Sequence, residues 1–190
     1  MRNTRADVVA AALRVLAAQG LESCSMRRVA AELDVQPSAL YHHVPNKQSL
    51  LALMADEIVG SVGLGEADPR QLCTELRDAM LGVRDGADVV ATAEAFRLGS
   101  SAIEERLAEL VGADGARTLL LFTFGHAQAT QTHRQAAEFG ALLPGAVAAG
   151  QGGVGPGLTG AAGEGTASDL DASFGRGISI ILAGLSATLR

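Results

Sequence analysis

The sequence predicts an all-α chain: a short N-terminal domain of three helices, then a longer helical C-terminal domain. Three observations carry this. Of the 190 residues, 35 are Ala and only five are Pro, a bias toward helix. Apolar residues recur at three- and four-residue intervals through most of the chain. Aromatics make up only 3%, with no Trp, which argues against a fold resting on aromatic-rich sheets.

The first helix is expected to begin after Thr4. Thr4 is a cap, and Asp7 stands three residues on, in the capping-box position. Val9, Leu13 and Leu16 form its stripe, broadened by Ala12 and Val15, and Gly20 ends it. Ser25 caps a second helix running through Leu33, with Val29 and Leu33 inward. Residues 34–36 make a short turn. Pro37 suits the first turn of a third helix, where its missing N–H costs little, and that helix is expected to reach Val44 before Pro45 stops it. Leu40 and Val44 face the core, which leaves Ser38, Tyr41, His42 and His43 largely outward.

Asn46 caps a fourth helix from Lys47 to about Val62, with Leu50, Leu51, Met54 and Ile58 as its stripe. A fifth fits 69–83 on Leu72, Leu76, Met80 and Val83. Shorter helices fit 87–97 and 100–111, and the longest candidate is 116–139. Its first half is nearly all apolar, through Leu119, Leu120, Phe122 and Phe124. Its second half turns to His, Gln and Thr. Residues 141–168 hold nine Gly, no basic group and one acid, Glu164, and read as a flexible loop or disordered insert. A last helix fits 169–190, where Gly177 and Gly184 would let another helix approach closely.

Charge is unevenly spread. The net charge is -6, yet residues 1–50 hold six basic and four acidic groups while 51–190 hold nine basic and 17 acidic ones. A uniformly basic coat is excluded, and a small N-terminal basic face is not. Two cysteines, Cys24 and Cys73, are too few for a disulfide framework or a closed zinc site. No apolar run reaches membrane-spanning length and the start is not a recognisable signal sequence, so the chain reads as soluble, cytoplasmic and without a membrane partner.

Three short helices, the last two joined by a three-residue turn, form either a helix-turn-helix or an ordinary small bundle. The residues themselves favour the first. The string Ser25-Met26-Arg27-Arg28-Val29-Ala30-Ala31-Glu32-Leu33, then Ser38-Ala39-Leu40-Tyr41-His42-His43-Val44, then Asn46-Lys47 and Leu50-Leu51, resembles the DNA-binding domain of the TetR family of bacterial transcriptional regulators over residues 5–59. The rest is more weakly similar to the tetracycline-repressor branch, at Arg84-Asp85-Gly86-Ala87, Phe122-Thr123-Phe124-Gly125 and Phe174-Gly175-Arg176-Gly177. The resemblance implies a helix-turn-helix domain at 1–48, a ligand-binding and dimerisation domain at 49–190, a homodimer closed by the long C-terminal helices, and a small-molecule inducer. Two positions depart from that branch. Val90 stands where a magnesium-binding His is expected, and Ala129 where an assisting carboxylate is expected. Neither ligates a metal, so no metal or other cofactor is expected. His126 and His133, seven residues apart, do not specify a metal site either.

By family position, Tyr41, His43 and Lys47 are phosphate contacts. Lys47 sits where a helix's free N–H groups also favour an anion. Its alternative is a solvated charge, and that of His43 a half-buried polar core residue. Arg27, Pro37, Ser38 and His42 lie nearer the base edges; Arg pairs with guanine, while Pro37 and Ala39 can touch a thymine methyl. Arg28 contacts either phosphate or only solvent. Met80, Phe96, Phe122, His126, Thr130 and Gln131 mix apolar area with a few polar groups, as a pocket for an amphipathic organic molecule does. Their alternatives are plain core packing and a hydrogen-bonded dimer seam.

The functional expectation is a homodimeric repressor that binds a palindromic double-stranded operator and is released by a small organic inducer. A transcriptional activator and a helical adaptor without DNA binding are the alternatives. An enzyme is not expected, because no nucleophile elbow or zinc-protease pattern is present.

Overall fold

The computed structural model describes residues 3–96, 102–138 and 167–188, and no strand occurs among them. The order is α1 (Arg5–Gln19), α2 (Met26–Glu32), α3 (Pro37–Leu40), α4 (Lys47–Val59), α5 (Pro69–Leu81), α6 (Gly86–Ala95), α7 (Ala102–Val111), α8 (Ala113–Glu138) and α9 (Ala167–Thr188).

The caps explain where most of these begin. The Asp7 N–H donates to Thr4 Oγ1 at 3.2 Å, and the Thr4 N–H donates back to Asp7 Oδ2 at 2.7 Å. Those bonds hold the Asp7 carboxyl below its usual range. Ser25 Oγ accepts from the Arg28 N–H, Asn46 Oδ1 from the Ser49 N–H, and Asp68 Oδ1 from the Arg70 N–H. Each meets one of the donors a helix start leaves open. At Gly20 the chain turns with φ +78, a conformation that favours glycine. A Cβ there would also come within 2.9 Å of Asp85 Oδ2.

The third and fourth helices end earlier than the sequence reading has them. The third helix ends at Leu40, not Val44; residues 41–43 form a turn. Leu40 and Val44 are both buried and stay four residues apart, joined by a Val44 N–H to Leu40 C=O bond of 2.8 Å. The helical spacing is thus kept by one turn rather than by a continuing helix, because Pro45 bars the residue before it from α geometry. The fourth helix stops at Gly60, although Val62 beyond it is still buried. Leu33 packs against the core as expected, but is only half-buried. The expected loop at 141–168 lies outside the described residues except for 167 and 168, which open α9.

One continuous core joins the elements. It runs from Val8 and Leu16 of α1 through Leu50 and Met54 of α4, then Leu72, Leu76 and Met80 of α5, to Leu119 of α8 and Ile178 of α9. Burying each such side chain contributes about 1.5–3 kcal/mol. Both cysteines are buried free thiols. Burial pushes the Cys24 thiol up, and pushes Cys73 up to about 11 despite a hydrogen bond with Thr123. Of the α9 side chains described, only Phe174 and Ile178 are buried in the core.

Candidate DNA-binding and regulatory sites

The sequence of α2, its turn and α3 builds an exposed polar face. Val29, Ala30, Leu40 and Val44 turn inward and are almost fully buried. The residues between them must then face out. Arg27, Arg28, Ser38, Ala39, His42 and Lys47 are exposed, Tyr41 is 52% exposed, and Pro37 and His43 are half-buried. The half-burial of His43 leaves both of its readings standing. Arg27, Arg28 and Lys47 form no ion pair among the described residues. Arg14, by contrast, is paired with Glu32 at 2.8 Å. Three uncommitted cations beside an exposed Tyr and two His residues, on a short turn-linked helix pair, suit a polyanionic surface. Pro37 sits at the first position of α3, so Ser38 and Ala39 occupy its leading turn.

This unit is tied to the rest of the chain at the turn before α6. Arg84 donates to the Ala17 and Ala18 carbonyls at the end of α1, at 3.4 and 3.3 Å. Asp85 adopts a left-handed φ of +55. Its Oδ2 accepts the Leu21 N–H at 2.7 Å, and its Oδ1 accepts from Gln135 Nε2 of α8. One carboxylate therefore links the N-terminal helices to the longest helix. Next to it, Gln131 Oε1 accepts the Ala87 N–H at 3.0 Å, and Asp88 accepts from Gln131 and Gln128 at 2.8 and 3.0 Å. An open cleft of about 1030 Å³ lies here, lined among others by Leu21, Lys47, Arg84, Asp85, Gln131 and Arg134.

The six expected ligand residues separate into three groups. Phe122 and His126 meet on α8, with ring centroids 5.7 Å apart, and both pack on Phe174 of α9 at 5.7 and 5.1 Å. Thr130 is fully buried one turn on, its Oγ1 3.3 Å from His126 Nδ1. Met80 is fully buried, and Gln131 is held by the α6 bonds just described. Phe96 stands apart in character: it caps α6 with its ring 63% exposed. Val90 is 3% exposed within the core, whereas Ala129 faces solvent.

Sequence reasoning missed Arg77. It is 4% exposed, with its guanidinium 5.0 Å from the Phe174 ring centroid and Nη2 2.6 Å from Asp171 Oδ1. A faint signal existed, since Arg77 falls four residues after buried Cys73 and three before buried Met80. Asp85 stands within a family-like string, but no residue near it in sequence signals its bonds.

An exposed cationic helix-turn-helix on an all-helical body defines a protein with a DNA-binding domain. Residues 8–54 match the family model for bacterial regulatory proteins of the tetR family. The transcriptional repressor DrrR1 of Streptomyces coeruleorubidus is 53% identical over 51 residues, 27% of this chain and 19% of that protein. The class E tetracycline repressor of Escherichia coli is 34% identical over 90 residues, 43% of each chain. The chain thus spans less than half the length of these curated relatives. Among solved structures, BioQ with its double-stranded DNA operator is similar with a TM-score of 0.67 and 34% identity, over 73% of this chain and 94% of that one. The chain belongs to the TetR family.

Proposed function

We propose that this chain is a non-enzymatic repressor that acts as a homodimer in the cytoplasm, binds a near-palindromic operator and is released by a small organic inducer. The observation that carries the reading is the exposed set on α2 and α3, with Arg27, Arg28 and Lys47 forming no ion pair among the described residues. The operator-bound state of similar BioQ and the repressor names of DrrR1 and the tetracycline repressor support it. Residues 1–48 read DNA, and residues 49–190 dimerise and bind ligand. Arg27, Pro37, Ser38, Ala39 and His42 meet base edges, while Arg28, Tyr41, His43 and Lys47 hold phosphates.

A single unit of this size meets few bases, so a dimer must place two recognition helices about 34–36 Å apart in successive major grooves. The outer faces of α8 and α9 suit that pairing. Leu121 is 63% and Ile180 73% exposed, and a Cβ built on Gly125 or Gly184 meets nothing within 4 Å. An inducer held among Phe122, His126 and their neighbours would favour a dimer arrangement with the recognition helices misplaced.

Genome-wide DNA pull-down followed by fluorescence anisotropy tests the reading. A palindromic site should be recovered. Lys47→Ala should weaken binding to every duplex and lower the salt slope by about 1.8 per dimer, since one phosphate per protomer is no longer neutralised. Recovery of no specific site, or an unchanged salt slope, would refute it.

A further inference from the structure

Arg77 of α5 is a buried cation that DNA reading does not use. A guanidinium keeps its charge in any folded protein, so burial demands partners for its donors. Among the described residues those partners are incomplete. Nη2 donates to Asp171 Oδ1 at 2.6 Å, and Nη1 reaches Asp78 Oδ1 only at 3.5 Å. Nε has no hydrogen-bond partner among the described residues. The Nε–H and Nη2–H together form the side-on edge with which a guanidinium grips a carboxylate through two parallel bonds. Asp171 fills half of that edge, and its own side chain is 56% exposed on α9.

An aromatic set adjoins the guanidinium through Phe174. Phe174 lies under the guanidinium, Phe122 is stacked on Phe174 with 10° between the rings, and His126 is tilted against both. Gly177 makes room for the set, because a Cβ there would overlap the Phe122 ring. Burial and the Arg77 charge hold the His126 pKa below its ordinary value. The shift favours the neutral imidazole, and the permanent positive charge of the cluster is that of Arg77.

We propose that the ligand of this chain is an aromatic organic anion whose carboxylate takes the Nε–Nη2 edge of Arg77 in exchange for Asp171, and whose ring enters the set of Phe122, His126 and Phe174. The proposal rests on the ligand-responsive reading above and names the ligand's chemical class. The exchange replaces one hydrogen bond with two and satisfies the orphaned Nε. It also removes the bond by which Asp171 ties the start of α9 to α5. Binding thereby acts on α9, the helix that carries exposed Ile180 and open Gly184. A neutral ring of equal size leaves Nε without a partner and is discriminated against on that ground.

The test uses the full chain and a matched set of probes: benzoate, naphthoate and biphenylcarboxylate, each beside its neutral primary amide. Titration calorimetry and release from the recovered DNA site are read in parallel. At least one carboxylate should bind tenfold or more tightly than its amide. Arg77→Lys keeps the charge but loses the edge, and should cost that carboxylate tenfold. Asp171→Asn removes the competing carboxylate and should tighten binding at least threefold, which loss of a structural ion pair would not do. Equal binding of acids and amides overturns the anionic class; if such a neutral probe releases DNA, ligand-responsive regulation stands. Unchanged or weakened binding in Asp171→Asn overturns the exchange. No binding by any probe overturns the proposal, and the operator result above still decides DNA recognition.

Discussion

Replacing Asp85 by Ala gives a stability prediction with a calculable size. The substitution removes the acceptor of the Leu21 N–H at 2.7 Å and of Gln135 Nε2. Hydrogen bonds to a charged group contribute about 1.5–3 kcal/mol each, and the half-buried site argues for the lower end, about 3 kcal/mol for the two. Asp85 also holds φ +55. Asp tolerates the left-handed region better than Ala does, which adds about 1 kcal/mol. A chain of this length has a melting entropy near 0.4 kcal/mol/K, so about 4 kcal/mol should lower Tm by about 10 °C. Asp85→Asn keeps an acceptor and the left-handed tolerance while losing the charge, and should lower Tm by about 4 °C. Scanning calorimetry at one fixed protomer concentration measures both, since the proposed dimer would make Tm concentration-dependent. An Ala variant melting within about 2 °C of the parent, or an Asn variant as damaged as the Ala one, would refute the reasoning.

Arg27→Ala should lower affinity for the preferred site by about 1–3 kcal/mol per half-site while leaving random DNA nearly unaffected, as competition anisotropy would show; equal loss on all sequences would remove its reading role. Gly184→Leu, placed where a Cβ meets open space within one chain, should leave the protomer folded and expose a concentration-dependent monomer in analytical ultracentrifugation. Gly177→Leu should instead lower Tm at any concentration, because it strikes the Phe122 ring of its own chain. Release of DNA by a carboxylate probe should persist in EDTA, since Val90 and Ala129 offer no lone pair to a metal; release requiring added magnesium would contradict this.

The parts of the fold legible in the sequence were those governed by neighbours. Thr4 with Asp7, Ser25 and Asn46 announce helix starts because each bond spans three residues. Gly20 announces a stop through its own backbone freedom. The end of α3 was misjudged because burial of Leu40 and Val44 is satisfied equally by a helix or by a turn that preserves their spacing. Long-range chemistry was illegible. Asp85 meets partners 64 and 50 residues away, and Arg77 meets Asp171 94 residues away. An Arg beside an apolar stripe reads as a solvated charge until a distant helix is laid over it. The outward set of the helix-turn-helix was legible for the converse reason: its inward residues left no other place for it. Gly177 and Gly184 look alike in the sequence, yet one receives a ring of its own chain and the other faces open space.

The burial of the two thiols limits their reactivity. A thiol with a pKa near 11, as at Cys73, is ionised in about one molecule in ten thousand at pH 7. Peroxides and disulfides react with the thiolate, and both sulfur atoms are also shielded from collision by the core. Both residues are thereby poor targets for oxidation. In the proposed repressor, thiol chemistry at Cys24 and Cys73 would therefore not compete with ligand for control of DNA occupancy.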